Sequence, residues 1–106
     1  MMKIRAKVYW MLSFVLLIGA CAQDGNDPAT RGKQVYLAEC TACHNSDPAK
    51  DGPVGPAIKG SSRELLEARI LRAGYPPGYT PKRPTSLMPP LPKVASKIPD
   101  LAAFLR

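Results

Sequence analysis

Prolines and glycines partition this chain more strongly than any other feature. Residues 75–92 contain prolines at 76, 77, 81, 84, 89, 90 and 92. Residues 45–60 contain Pro48, Gly52, Pro53, Gly55, Pro56 and Gly60. Proline lacks the backbone N–H and locks φ, so neither stretch can continue a helix or fill a central strand. Regular structure is confined to three windows, and each of them reads as helix.

Asp27-Pro28 opens the first window, with Asp as N-cap and proline in the first turn, and predicts a helix to about Cys40 that buries Val35 and Tyr36. Ser61-Ser62-Arg63-Glu64 reads as a capping box at the second, with Leu65, Leu66 and Ile70 as the apolar stripe and Gly74 as the stop. A third helix begins near Ser96 and runs through Leu101, Ala102, Phe104 and Leu105, with Pro99 in its first turn. No segment has the alternation of a strand, and there is no internal repeat. The expected fold class is all-α, three short helices joined by long Pro/Gly-rich loops.

The N-terminal residues follow a different logic. Lys3, Arg5 and Lys7 precede a run from Val8 to Ile18 that is apolar except for Ser13, followed by Gly19-Ala20. This is the charged, apolar and small-residue order of an export signal, and the run is shorter than the ~20 residues that span a bilayer. Leu17-Ile-Gly-Ala-Cys21 resembles the lipobox of bacterial lipoproteins. That resemblance implies cleavage before Cys21 and a lipid thioether on its sulfur, and acyl chains bury about 0.8 kcal/mol per methylene in a membrane. Plain secretion, or an uncleaved anchor, is the competing reading. The expected organisation is a signal peptide over 1–20, a polar tether over 21–27 and one folded domain over 28–106. Ala22 follows Cys21 where an Asp would retain lipoproteins at the inner membrane in the enterobacterial pattern. The anchor is therefore expected in the outer membrane of an organism that has one, with the domain in the periplasm or cell envelope.

The formal charge of +7 is partly a property of the leader, which holds three of the 15 basic residues. The rest form no basic run interleaved with aromatics, so nucleic acid is not an expected partner. A domain this short seldom stabilises itself by apolar burial alone and needs a staple. Cys40 and Cys43 are too close in sequence to cross-link distant parts of the fold, so the staple is expected to be a cofactor.

Cys40-Thr41-Ala42-Cys43-His44 is the C-x-x-C-H signature of haem c attachment. Two thiols one turn apart can add across the two vinyl groups of one porphyrin, and the adjacent His is then placed to bind the iron. A thioredoxin-like redox pair would want a βαβ setting that the chain lacks. Structural zinc wants four Cys or His ligands, one more than Cys40, Cys43 and His44 supply. The second axial ligand follows by elimination. His44 is the only histidine, and Met88 is the only methionine beyond the leader, since Met1, Met2 and Met11 fall within it. Met88 lies in Ser86-Leu87-Met88-Pro89-Pro90, where flanking prolines oppose a helix core and favour a stiff arm. A thioether opposite His raises the reduction potential by favouring Fe(II).

From Gly32 to Arg106 the chain resembles a class I, monohaem bacterial cytochrome c. The likeness rests on Gly32-Lys33-Gln34-Val35-Tyr36, the C-x-x-C-H motif, Gly55-Pro56-Ala57-Ile58-Lys59-Gly60, Met88-Pro89-Pro90 and Pro99-Asp100-Leu101-Ala102-Ala103-Phe104-Leu105, in that order. The resemblance implies the small cytochrome c fold wrapped around one covalent haem, with Gly32 and Tyr36 of the first helix packed against Phe104. It also implies that the Pro56 carbonyl accepts from His44 Nδ1. The family often sets a Trp or Tyr near the haem propionates; Trp10 is in the leader, which leaves Tyr75, Tyr79, Lys82 and Arg83 as candidates, although a solvated loop is the favoured explanation for the two cations. The implied activity is that of a one-electron carrier, not an enzyme, serving an oxidase, reductase or dehydrogenase in a respiratory chain, as a monomer or as the cytochrome subunit of a larger oxidoreductase. A haem sensor or peroxidase is the alternative if Met88 is not a ligand, and a lipoprotein without haem is a third.

Overall fold

A computed structural model describes residues 25–106. The leader, Cys21 and the first part of the tether lie outside the described residues. α1 (Pro28–Glu39), α2 (Arg63–Arg72) and α3 (Ile98–Leu105) appear in that order, with a 3₁₀ turn at Pro92–Lys97 running into α3. The described residues contain no strand, and none of their helices is long and apolar enough to cross a membrane. The all-α class and the three windows are as the sequence predicts.

α1 starts where Asp27 accepts from the Thr30 amide at 3.1 Å, with Pro28 behind it, and ends as the Cys40 amide closes on the Tyr36 carbonyl. Its most extensive packing is against α3. The crossing is made at Gly32, where a Cβ would stand 2.0 Å from the Asp100 carbonyl oxygen. Only hydrogen at that position lets the two backbones touch. One turn on, Tyr36 is fully buried, with its ring 5.4 Å from that of Phe104 and its hydroxyl donating to the Asn45 carbonyl. Arg31 spans the same seam, with Nε and Nη2 each 3.0 Å from an oxygen of Asp100.

α2 departs from the sequence reading at both ends. Its N-cap is Ser62, which accepts from the Leu65 amide, so Glu64 is not at the third helical position and no capping box forms. The cause is non-helical: Ser61 Oγ donates to the Ile58 carbonyl at 2.6 Å and stays with the preceding loop. At the C-terminus the left-handed residue is Ala73, at φ 51°, and not Gly74, whose amide bonds back to the Ala68 carbonyl. Arg69 Nη1 donates to the Ala73 carbonyl at 2.9 Å and helps hold this turn. The buried face is Leu66, Ala68 and Ile70, while Leu65 is only half-buried.

In the third window, the predicted helix near Ser96 divides into the 3₁₀ turn, which buries Val94, and α3, which buries Ile98, Leu101 and Leu105. Tyr36, Leu66, Ile70, Val94, Ile98, Leu101 and Leu105 form one core, each worth roughly 1.5–3 kcal/mol of apolar burial. The core holds α1, α2 and α3 together. The two Pro/Gly-rich loops are left to shape what lies beside it.

Candidate functional site

The C-x-x-C-H residues follow α1 without a break. The amides of Cys43 and His44 both point at the Cys40 carbonyl, at 3.3 and 3.0 Å, so the motif forms one turn beyond the helix. Cys40 and Cys43 are free and half-buried. Burial, with Glu39 adding to it, pushes the Cys40 thiol up to about 11 and keeps it protonated at neutral pH.

The 45–60 loop wraps the back of this turn. The amides of Val54 and Gly55 donate to the Cys43 carbonyl, at 3.2 and 2.8 Å. Such closeness demands glycine twice. A Cβ on Gly52 would lie 2.5 Å from the Cys43 carbonyl oxygen, and one on Gly55 would lie 2.4 Å from the His44 ring. The Pro56 carbonyl then stands 2.9 Å from His44 Nδ1. A carbonyl can only accept, so Nδ1 carries the proton in this pair and the lone pair is left on Nε2.

Cys40, Cys43 and His44 border an open pocket. Its apolar walls include Leu65 and Ile70 of α2 and Leu101 and Leu105 of α3. The Pro-rich loop contributes Met88, which is half-buried against the core. Thus Cys40, Cys43, His44, Pro56 and Met88 border one cavity, though 48 positions separate the first from the last. Cys21 lies outside the described residues.

Tyr75, Tyr79, Lys82 and Arg83 also border it. The two tyrosine rings stack at 5.4 Å and 8°. Lys82 Nζ donates to the Ala57 carbonyl at 2.7 Å and Arg83 Nη1 to that of Val54 at 2.8 Å, so both cations have partners in the opposite loop. Sequence reasoning passed over Arg69, whose guanidinium lies 4.3 Å from the Tyr75 ring centre at the pocket wall. The signal was available: Arg69 falls one turn after Leu66 and adjoins Ile70, on the side of α2 that turns inward. The close approach of Gly55 to the imidazole had no such signal.

Among the described residues no three or more His, Cys, Asp and Glu side chains gather as a metal cage would require. Two thiols, an imidazole and a thioether thus border one pocket with largely apolar walls. Residues 29–106 match the family model described as Cytochrome c. No curated protein and no solved structure matches the chain.

Proposed function

The chain belongs to the cytochrome c family, and on that premise we propose that it is a one-electron carrier whose iron has His44 and Met88 as axial ligands. Members of this family bind haem c covalently and typically carry electrons between redox partners. The residues here fit that group. Two free thiols, an imidazole with its Nε2 lone pair unspent and a thioether border one apolar cavity, and a Cβ on Gly55 would strike the imidazole.

When bound, haem c supplies an Fe(II)/Fe(III) couple, with Cys40 and Cys43 as its thioether attachments. The protein's part is positional. Pro56 fixes the His44 tautomer through Nδ1 and leaves Nε2 for iron. The Met88 thioether favours the reduced metal. The Leu and Ile walls would present an apolar surface to the haem. With His44 and Met88 both serving as ligands, no coordination site would remain for a substrate, which is why we read a carrier and not an enzyme. The observation that carries the reading is the meeting of His44, with its tautomer set, and Met88 in one pocket.

The export signal and the lipobox at Cys21 support a carrier held by lipid at a periplasmic membrane face, the outer membrane where there is one, serving an oxidase, reductase or dehydrogenase or built into a larger oxidoreductase. Cys21→Ser should shift the protein from the membrane to the soluble fraction.

The functional test is an absorption spectrum of the haem-loaded protein, oxidised and reduced, with and without carbon monoxide. A low-spin spectrum with the weak sulfur-to-iron band and no carbon monoxide binding is expected. A high-spin spectrum, or prompt carbon monoxide binding, would remove Met88 from the iron and turn attention to sensing or peroxide chemistry.

A further inference from the structure

The Met88 segment is held to the rest of the molecule in an unusual way. Among the described residues, no backbone hydrogen bond involves Thr80 to Pro90; the nearest are Tyr79 N–H to the Pro76 carbonyl before it and Leu91 N–H to the Ile70 carbonyl after it. Four prolines in that span, at 81, 84, 89 and 90, remove donors that could have made such bonds. Besides the packing of Met88 against the core, two side chains tie the span down. Lys82 reaches the Ala57 carbonyl at 2.7 Å, and Arg83 reaches the Val54 carbonyl at 2.8 Å.

Those acceptors bracket Pro56, the residue whose carbonyl holds His44 Nδ1. Asp51 stiffens the same stretch, since its Oδ1 accepts from the Ala57 amide at 2.9 Å and lies 3.6 Å from Arg83 Nη2. The Asp51 carboxylate is 73% exposed, so its ion pair with Arg83 contributes little. The two cation-to-carbonyl bonds are charge-assisted and are the stronger ties. Arg83 is also the better placed of the two, with its side chain 32% exposed while Lys82 is an exposed residue.

We infer that Arg83 and Lys82 are positioning residues: a clamp that ties the loop carrying Met88 to the loop that orients His44, so that the thioether cannot leave the iron without breaking it. The inference rests on the His44/Met88 reading above and adds the means by which this Pro-rich loop is kept closed. An external ligand that displaces Met88 must move the 80–90 span and open the clamp. Without the clamp that cost disappears, and the external ligand binds more tightly.

The experiment is an imidazole titration of the oxidised, haem-loaded protein, followed by loss of the sulfur-to-iron band. Arg83→Gln should tighten imidazole binding about tenfold, the factor that corresponds to ~1.4 kcal/mol. The Lys82→Gln/Arg83→Gln double variant should tighten it further. Arg83→Lys, which keeps one charged donor, should fall between Arg83→Gln and wild type, and Ser86→Ala, on the same loop but outside the pocket, should match wild type. A double variant that melts lower but binds imidazole as wild type does would overturn the clamp, because the ties would then be merely structural. If the wild-type band is itself absent, the ligation reading fails and the inference fails with it. The state of the wild-type band distinguishes the two failures.

Discussion

Replacing Gly32 with alanine tests the contact on which the fold is built. The added Cβ would lie 2.0 Å from the Asp100 carbonyl oxygen and 3.0 Å from the Leu101 amide nitrogen, against an ordinary contact of 3.4 Å or more. Both neighbours are backbone, so no side chain can swing aside, and α1 and α3 must part by about 1.4 Å along that direction, the difference between 3.4 and 2.0. A gap of ~0.5–1 Å already forfeits a quarter to a half of a dispersion well. Tyr36 and Leu101 are fully buried at this seam, and side chains of this kind are worth ~1.5–3 kcal/mol each. Losing that fraction over the two costs about 1–3 kcal/mol, in line with ~1–3 kcal/mol for overpacked cores. Alanine recovers ~1 kcal/mol of helix propensity, and new strain in the separated backbones offsets part of that. The expected net loss is ~1.5 kcal/mol, or roughly 6–12 °C in Tm at ~4–8 °C per kcal/mol. The assay is thermal unfolding of the haem-loaded protein by circular dichroism, with the exposed Gln34→Ala on the same helix as control. A Gly32→Ala melting point within about 2 °C of wild type, or above it, would refute the close-crossing argument.

Three further outcomes are expected. Gly55→Ala would set a methyl only 2.4 Å from the His44 ring, so haem incorporation should fall and the oxidised spectrum should shift; a normal yield with an unchanged spectrum would contradict the cradle. The Arg31 guanidinium, hydrogen-bonded to Asp100, holds its carboxyl below the ordinary 3.8. Stability from this pair is thus present above pH 3.8 and is lost as pH falls below it, so Asp100→Asn should weaken the protein at neutral pH and narrow its difference from wild type in acid, as read from urea midpoints at the two pH values. Ala73→Gly should relieve the left-handed conformation at φ 51° and stabilise by ~0.5 kcal/mol after the entropy of glycine is set against the relief; a lower urea midpoint would show that Ala73 is not strained.

Much of the site was legible because its chemistry is local or compositional. The C-x-x-C-H spacing places three functional groups on one turn whatever the rest of the chain does. Met88 could be singled out because the other three methionines all fall within the first 11 residues. Asp27-Pro28 was a sound helix start because an N-cap bonds within its own turn. The same local logic failed at α2. Ser61 and Ser62 are chemically alike, and a bond from Ser61 to the Ile58 carbonyl in the preceding loop decided which of them caps the helix. Gly74 looked like the natural stop, yet Arg69 reaches the Ala73 carbonyl in a turn where Ala73 takes the left-handed conformation.

By itself, then, the sequence determined three helices, the two loops between them and the thiol–thiol–imidazole turn, because each depends on neighbours in the chain. Only the tertiary structure decided that Gly55 must leave room for the His44 ring, that Arg69 lines the pocket, and that Lys82 and Arg83 reach carbonyls 25 and 29 residues away. Those contacts are made by loops, in which no repeating hydrogen-bond pattern relates one residue's place to the next. Prolines also remove backbone donors there, so the ties fall to flexible side chains whose partners exist only once the helices have packed.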